Sequence, residues 1–399
     1  MLSIAFLHPD LGIGGAERLI IDCAIALKDS GHLVSIFTSH HDLNHCFEET
    51  KDGRINVVVA GDWLPNSSFG HFKAFWAYLR MIYLTFFMVL NYRFDCIICD
   101  QVPSGIPIIK ASKQKCLFYC HYPDQLLAKH DSLLKKIYRR PIDWFEEWTI
   151  NFADQVLVNS HFTQQVFRKT FKRFGSKIIT EVLYPCVKFH SSHSEIDKND
   201  NKDDEYLSYF LSINRFERKK NLELAIEAME VLQNKLDQKS SKKSIHLVIA
   251  GGYDLNNIEN IDYYEELIEK VKRSNLKDKV TFVRNLTDDQ KQSLLKRCIA
   301  VIYTPENEHF GIVPLEAMYM KRPVIAANSG GPKETIIDEA TGFLCQTTPV
   351  SFAEAMMKFV EDESLSNTMG TKAFVHVVNK FNYKNFKNDL NKIISKLVQ

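Results

Sequence analysis

A glycine-rich turn follows the first predicted strand of this chain. The strand Ile4–His8 leads into Gly12, Gly14 and Gly15 and then into a helical pattern. Glycines let the backbone approach a ligand closely, and a helix N-terminus offers free N–H groups to an anion. The spacing is not that of a dinucleotide-binding fingerprint, because Glu17 stands where the third glycine is required. The turn therefore either holds a phosphate or is a tight β–α turn without a ligand.

Two cations follow a predicted strand in the second half of the chain. Arg215 comes directly after the strand Tyr209–Asn214, and Lys220 begins the next helical pattern five residues later. Fixed cations at the carboxyl end of a strand suit a diphosphate whose negative charge grows as it departs. A solvated basic turn has the same composition, so this motif alone leaves both interpretations open.

Two glutamates enclose a glycine turn further along the chain. Glu308 follows the predicted strand Ala300–Tyr303, and Glu316 lies in the first turn of the predicted helix Val313–Met320. Glu316 is suited to accept paired ribose hydroxyls, and Glu308 to reach the hydroxyls of a sugar. Acids that complement a helix dipole would account for Glu316 but leave Glu308 unexplained.

Short apolar strands alternate with amphipathic helices around these motifs, which is typical of α/β proteins with parallel sheets. In the first half, the predicted strands are Ile4–His8, Val34–Thr38, Asn56–Ala60, Cys96–Cys99, Cys116–His121, Gln155–Asn159 and Ile179–Tyr184. The predicted helices there are Ala16–Asp29, Phe72–Leu90, Leu133–Phe152 and Thr163–Arg173. In the second half, the predicted strands are Tyr209–Asn214, His246–Ala250, Val280–Val283, Ala300–Tyr303 and Pro323–Ala327. The predicted helices there are Leu222–Leu236, Tyr263–Arg273, Asp288–Arg297, Val313–Met320, Phe352–Val360 and Tyr383–Leu397.

A polar stretch divides this alternation into two halves. Residues 191–205 (SSHSEIDKNDNKDDE) contain one apolar residue in fifteen and cannot form a core element. We therefore predict two doubly wound, Rossmann-like α/β domains that face each other across a cleft, with ligands at the carboxyl ends of the strands. The predicted divisions are a first domain at 1–188, a linker at 189–207, a second domain at 208–375, and a C-terminal region at 376–399.

One predicted helix is unusually apolar. The segment Phe72–Leu90 has 19 residues, of which only Lys73 and Arg80 are charged. A membrane-spanning helix needs about 20 apolar residues, and a mid-membrane arginine costs roughly 2.5–3.5 kcal/mol. A full crossing would also separate flanking strands that should share one sheet. Membrane contact in the interfacial region is the favoured interpretation, with a spanning helix and an ordinary core helix as the alternatives.

Composition excludes several classes of protein. With 399 residues, 45% of them hydrophobic, the chain is long enough for two or three folded domains and is not disordered. Fifty basic and 49 acidic side chains give a net charge of +1, which argues against a nucleic-acid-binding protein. Nine scattered cysteines fit a reducing compartment better than a disulfide scaffold. The first apolar run is too short for a signal peptide.

No metal site or cofactor is predicted. Cys96 and Cys99 have the spacing of a zinc-binding pair, but they lie within one strand with their thiols on opposite faces, and no second pair accompanies them. Asp288 and Asp289 precede a helix and are interpreted as its N-cap.

Taken together, the motifs resemble those of retaining glycosyltransferases of the GT-B fold, family 4. The supporting pattern is GGAER at residues 14–18, Arg215 with Lys220, and the E-x7-E motif from Glu308 to Glu316. Longer stretches resemble the eukaryotic α-1,3/α-1,6-mannosyltransferases that build lipid-linked oligosaccharide for N-glycosylation. They are HPDLGIGGAER at 8–18, CDQ at 99–101, FYCHYPD at 118–124, PIDW at 141–144 and EHFGIVPLEAMYM at 308–320. The resemblance covers nearly the whole chain apart from 191–205. It also implies that the helix in the region 376–399 packs back on the first domain.

The resemblance implies roles for residues that would contact the donor. Gly14 and Gly15 would contact the nucleotide diphosphate through backbone N–H groups. Arg215 and Lys220 would stabilise the departing GDP. The remaining implied donor contacts are Glu308 with the mannose, Glu316 with the ribose, and Ile312 and Val313 with the nucleotide.

Two residues of the first half have implied roles as well. His121 would approach the donor sugar from the end of a strand; a hydrogen-bonded loop histidine is the alternative. Asp124 would either orient His121 or contact the acceptor.

The implied reaction is retaining transfer of α-1,3- and α-1,6-linked mannose from GDP-mannose to Man1GlcNAc2-diphosphate-dolichol, giving Man3GlcNAc2-diphosphate-dolichol. The implied setting is the cytosolic face of the endoplasmic reticulum membrane, with other mannosyltransferases of the dolichol pathway as candidate partners and no nucleic acid. Two alternatives remain open: a family 4 transferase with another nucleotide sugar or acceptor, and a non-enzymatic scaffold in a transferase complex.

Overall fold

The computed structural model describes residues 1–68, 71–128, 133–173, 178–187, 208–241 and 243–399. These residues form two compact units. The first comprises Met1–Cys186 together with Tyr383–Gln399, and the second comprises Val187–Asn382. The predicted linker at 189–207 lies outside the described residues.

The first unit is built on a parallel sheet. In its described residues, seven strands pair in the order β3-β2-β1-β4-β5-β6-β7, with all registers parallel. The strands are β1 (Ser3–His8), β2 (Leu33–Thr38), β3 (Asn56–Val59), β4 (Cys96–Asp100), β5 (Lys115–Cys120), β6 (Gln155–Val158) and β7 (Thr180–Val182). The seven strands predicted for this half are thereby confirmed, with ends that differ by at most two residues.

Helices cover both faces of this sheet, because the strands alternate their side chains between two separate apolar clusters. The helices are α1 (Gly15–Lys28), α2 (Lys73–Asn91), α3 (Ile106–Ala111), α4 (Asp124–Leu127), α5 (Leu133–Ile150) and α6 (His161–Thr170). Cys96 lies in one cluster and Cys99 in the other, so their thiols point to opposite faces as predicted. All nine cysteines are buried and free of disulfides.

The second unit repeats this architecture with a different sheet. Its strands pair in parallel in the order β10-β9-β8-β11-β12-β13. They are β8 (Tyr209–Ile213), β9 (His246–Gly251), β10 (Val280–Arg284), β11 (Val301–Tyr303), β12 (Val324–Ala327) and β13 (Gly342–Cys345). The helices are α7 (Leu222–Gln238), α8 (Ile258–Arg273), α9 (Asp288–Arg297), α10 (Ile312–Tyr319), α11 (Pro332–Thr335), α12 (Pro349–Glu361) and α13 (Glu363–Lys380).

The chain returns to the first unit at its end. The last helix, α14 (Tyr383–Val398), places Phe386, Leu390, Ile393 and Ile394 in the apolar cluster beneath α1. His32 and Asn391 form a hydrogen bond of 3.0 Å at the same contact. The predicted division at 375–376 falls inside α13, and the chain leaves the second unit only at Asn382.

The apolar helix α2 is packed on the first sheet. Its buried face includes Tyr78, Met81, Leu84 and Met88, whereas Phe75 is half exposed. By length and composition alone α2 could cross a membrane, a test that core helices of soluble proteins also pass.

Arg80 anchors the middle of α2 to the loops that follow β2 and β3. Its guanidinium donates to the Ser39 carbonyl at 2.9 Å and lies 3.0 Å from the Asp62 carboxylate. These two contacts hold the middle of α2 against the first unit.

One prediction about a helix start is wrong. Asp288 and Asp289 lie in the first turn of α9, and the N-cap is Thr287, whose hydroxyl accepts a hydrogen bond from the backbone N–H of Gln290. Gln290 in turn accepts from the Thr287 N–H, which completes a capping box. The two aspartates complement the helix dipole from the first turn.

Candidate active site

In the second unit, Lys220 and Glu308 form a close ion pair. The Lys220 ammonium lies 2.5 Å from the Glu308 carboxylate, and both side chains are largely buried. Burial opposes ionisation of Glu308, but the charge and hydrogen bond of Lys220 outweigh it and lower the pKa of that carboxyl. The sequence predicted both residues as functional and did not predict that they touch.

The backbone around this pair is fixed by its neighbours. Lys220 ends a 3₁₀ turn at Arg218–Lys220, and its carbonyl accepts from the Thr304 hydroxyl at 2.7 Å. A β-carbon on Gly330, which has φ of +61°, would lie 2.4 Å from the Glu308 carbonyl oxygen. The Glu308 carbonyl also accepts from the Gly331 N–H at 2.7 Å. Close backbone packing therefore determines where the Glu308 side chain begins.

Arg215 is not part of this pair. Its side chain is 62% exposed and lies 3.0 Å from the Glu217 carboxylate, which also pairs with Lys219 at 3.0 Å. A largely exposed guanidinium at a strand end remains accessible to an anion. Glu217 is a buried carboxylate that the sequence analysis did not single out.

Glu316 lies in a different position on its helix from the one predicted. The helix α10 begins at Ile312, so Glu316 is its fifth residue and lies beyond the first turn. Its carboxylate lies 2.6 Å from the Lys291 ammonium on α9. Ile312 and Val313 occupy the first two positions of α10, where backbone N–H groups lack intrahelical partners.

In the first unit, the glycine turn joins β1 to α1. Gly14 is the N-cap of α1, so no side chain at that position accepts from the first N–H groups of the helix. A β-carbon on Gly14 would lie 2.2 Å from the Glu17 carboxylate, whereas one on Gly15 would meet nothing within 4 Å. The backbone at Gly15 therefore borders open space, as an anion-binding turn requires.

A buried cluster of ionisable groups lies beside this turn, at the carboxyl ends of three neighbouring strands. His8 ends β1, Asp100 ends β4, and His121 follows β5. One oxygen of the Asp100 carboxylate forms a hydrogen bond of 2.8 Å with Nδ1 of His8, and the other lies 2.9 Å from Nε2 of His121. Glu17, on the first turn of α1, lies 3.5 Å from Nε2 of His8. We refer to these four residues as the histidine–aspartate cluster.

The charges of this cluster stabilise one another. Burial lowers the pKa of His8, but contacts with Asp100 and Glu17 outweigh it and raise that pKa to about 9. Burial raises the pKa of Asp100, and the two histidines outweigh it, so the pKa of that carboxyl is lowered. His8 is therefore protonated, and Asp100 ionised, at neutral pH.

The structure corrects one prediction about His121. The carboxylate beside its ring is Asp100, not Asp124. Asp124 starts α4 and lies 2.8 Å from Arg139 on α5, and the buried Glu146 accepts hydrogen bonds from the Asp124 and Gln125 N–H groups. Polar residues at the ends of adjacent buried strands were the available signal for His8 and Asp100.

Comparisons with known proteins identify the family. The profile of Glycosyltransferase Family 4 matches residues 13–185, and that of Glycosyl transferases group 1 matches residues 193–376. The alpha-1,3/1,6-mannosyltransferase ALG2 of Homo sapiens is 48% identical over 99% of this chain and 96% of its own length. The protein of the same name from Dictyostelium discoideum is 44% identical over 99% of this chain and 98% of its own length. This chain belongs to the ALG2 mannosyltransferases.

Solved structures show the fold of this mannosyltransferase. Sucrose-phosphate synthase from Thermosynechococcus elongatus matches with a TM-score of 0.78 at 19% identity, covering 100% of this chain and 99% of that one. Anabaena HepE, solved in complex with UDP, matches with a TM-score of 0.76 at 20% identity, covering 99% of this chain and 100% of that one. The predicted fold of two Rossmann-like domains is therefore confirmed.

Proposed function

We propose that this mannosyltransferase adds α-1,3- and α-1,6-linked mannose from GDP-mannose to Man1GlcNAc2-diphosphate-dolichol, giving Man3GlcNAc2-diphosphate-dolichol. The reaction takes place at the cytosolic face of the endoplasmic reticulum membrane. The observation that carries the proposal is the buried Lys220–Glu308 pair, in a chain 48% identical to a mannosyltransferase that forms both linkages by name.

The pair supplies the two functions that glycosyl transfer requires on the donor side. Lys220 provides a fixed, largely buried cation for the diphosphate, whose charge increases as the glycosidic bond breaks. Glu308, kept ionised beside it, is an acceptor for sugar hydroxyls. When the diphosphate binds, Lys220 can exchange part of its contact with Glu308 for the anion, which leaves Glu308 free to hold the mannose.

The chemical step balances without a protein nucleophile. The bond between mannose C1 and the β-phosphate oxygen breaks, and a bond from the acceptor hydroxyl oxygen to C1 forms on the same face, which retains the α configuration. The hydroxyl proton passes to the departing GDP oxygen. Arg215 and Lys220 supply the positive charge that the departing diphosphate needs, so we propose that the protein holds no metal for this step.

Other residues bind the donor nucleotide. Ile312 and Val313 begin a helix, so their backbone N–H groups can donate to the phosphates of the nucleotide. Glu316 accepts the ribose hydroxyls, with Lys291 holding its carboxylate in place.

In the first unit, the open space at Gly15 suits a close approach of the diphosphate to the backbone of Gly14 and Gly15. His121, whose side chain is 19% exposed, approaches the donor sugar. Asp124, held by Arg139, is the proposed acceptor contact.

An exposed apolar surface on the first unit provides the membrane contact. The Tyr138 hydroxyl accepts from the Phe75 N–H at 3.0 Å and so ties the start of α2 to the start of α5. Beside this contact, Leu133, Leu134 and Ile137 are 70–81% exposed. Exposed basic side chains alternate with these apolar ones along α5, the composition of a helix lying on anionic lipid. We call Phe75, Leu133, Leu134 and Ile137 the lipid-facing surface.

Mannose transfer by a matched pair of lysine variants tests the donor-side role. In Lys220→Ala we expect kcat/KM to fall about 100- to 1,000-fold, as when one donor to a developing negative charge is removed. Lys219→Ala is the control, because the Lys219 side chain is 64% exposed and forms its ion pair with Glu217 instead of Glu308. Equal activity of the two variants would refute the role of Lys220, and transfer from a UDP-sugar in preference to GDP-mannose would refute the proposed donor.

A further inference from the structure

His121 is the member of the histidine–aspartate cluster that a ligand can reach. Its side chain is 19% exposed, whereas His8 and Asp100 are completely buried. The His121 ring packs on the buried Tyr119, with 4.8 Å between ring centroids, and its carbonyl accepts from the Asn159 amide at 3.2 Å. The protein therefore holds the ring from one side and leaves the other side accessible.

The contact with Asp100 determines which nitrogen of His121 carries a proton. Nε2 is buried and lies 2.9 Å from an oxygen of Asp100, although the ring is not aligned for a linear hydrogen bond. At that distance an unprotonated nitrogen would present its lone pair to a carboxylate, which is repulsive. The proton therefore lies on Nε2, and Nδ1 is the nitrogen that remains for a ligand.

His8 keeps Asp100 available for this task. A buried carboxylate between neutral groups would tend to take up a proton. His8 donates to the second oxygen of Asp100 at 2.8 Å and has Glu17 3.5 Å from its other nitrogen. Its two carboxylate neighbours hold His8 in the protonated form. The other ionisable groups beside Asp100 are the buried thiols of Cys99 and Cys120 and the buried Tyr119 phenol, whose pKa values are raised, so they are neutral.

We propose that Asp100 and His8 are positioning residues for His121: protonated His8 keeps Asp100 ionised, and Asp100 fixes the His121 ring with its proton on Nε2, so that Nδ1 faces the substrate. The proposal deepens the proposed function, since it rests on the approach of His121 to the donor sugar. It assigns a role to two side chains that are completely buried and therefore act through His121.

The first test reads the ring directly and does not depend on activity. Nitrogen NMR of the full-length, 15N-histidine-labelled protein should show the His121 proton on Nε2. The His121 signals are assigned as those that disappear in His121→Ala. In Asp100→Asn, the amide has one oxygen that accepts and one NH2 group that donates. His8, which stays protonated beside Glu17, donates to the oxygen, so the NH2 group faces Nε2 of His121. We therefore expect the His121 proton to move to Nδ1. A wild-type ring protonated on Nδ1, or an unchanged ring in Asp100→Asn, would overturn the proposal.

The second test is kinetic. Asp100→Asn should lower kcat about 10- to 100-fold with KM for GDP-mannose within threefold, the size of effect seen when a carboxylate that orients a metal-binding histidine is lost. Combining Asp100→Asn with His121→Ala should cost no more than His121→Ala alone, because both changes remove one function. Additive losses would overturn the proposal.

A matched control separates positioning from general stability. Asp154 directly precedes β6, so it lies at the amino ends of the strands, whereas Asp100 lies at the carboxyl ends. It pairs with Lys110 and accepts from the Cys116 N–H at 2.9 Å. Asp154→Asn should keep the wild-type kcat, and an equal loss in Asp154→Asn and Asp100→Asn would overturn the positioning role.

A His121→Ala variant with full kcat would show that His121 has no role in the reaction. A wild-type enzyme that transfers no mannose would refute the proposed function, and the NMR result would still decide the positioning of His121.

Discussion

Lys220 and Asp100 illustrate how single buried charges are used in the two units. Asp100 ends the parallel strand β4, Lys220 lies in the turn between β8 and α7, and each has an opposite charge within 3 Å. A buried charge without such a partner would neutralise instead. The sequence predicted Lys220 from its spacing after a strand. It could not predict its contact with Glu308, because that pairing joins residues 88 positions apart and depends on the register of the sheet.

The raised pKa of His8 predicts a specific pH dependence of stability. Because the folded-state pKa is about 9 against 6.5 for the free side chain, proton binding stabilises the fold fully below pH 6.5. That contribution declines as the pH rises and is lost above pH 9. The difference in free energy of unfolding between wild type and His8→Gln should therefore shrink by up to about 3 kcal/mol between pH 6.5 and 9.5.

Denaturant unfolding at several pH values measures this difference. His71→Gln, which removes an exposed histidine from the same unit, controls for loss of an imidazole. A wild-type advantage over His8→Gln that stays constant from pH 6.5 to 9.5 would contradict the assignment of a charged His8.

At the scale of elements, the sequence predicted the strands well because they are buried on both faces and read as short apolar runs. It missed the strand β13 and the short helices α3, α4 and α11. It also missed α13, whose sequence ESLSNTMGTKAFVHVVNK is rich in poor helix formers. Tertiary packing stabilises α13, since Met369, Ala373 and Val377 are buried. Tertiary packing also buries one face of α2 on the first sheet, and no periodicity could show how much of this helix is buried.

The lipid-facing surface gives a prediction at the scale of elements. The combined variant Leu133→Ser, Leu134→Ser, Ile137→Ser should float with vesicles containing phosphatidylserine at least tenfold less than wild type, because it loses the exposed apolar area that enters the interface.

A control variant tests whether any loss of exposed apolar area has this effect. Val375→Ser with Val378→Ser removes exposed apolar side chains from α13 and should float normally. Equal flotation of both variants would contradict the assignment of the membrane contact to α5.

At the scale of the whole molecule, the alternation of strands and helices predicted two parallel α/β units, and the fold comparisons confirm them. The predicted end of the second domain was misplaced because α13 was not recognised. The return of α14 to the first unit was predicted from the resemblance, and its apolar face at Phe386, Leu390 and Ile393 gives the physical reason. The choice of sugar and acceptor depends on side-chain contacts, which composition and periodicity cannot predict.

Transfer of two mannoses by one chain is the central claim. The most direct measurement is mass spectrometry of a lipid diphosphate carrying one mannose on two N-acetylglucosamines, incubated with the purified protein in lipid and GDP-mannose. We predict a product heavier by two mannoses, formed far more slowly when Lys220→Ala replaces the wild type. A product heavier by one mannose at most, from a protein that still binds GDP, would contradict the claim.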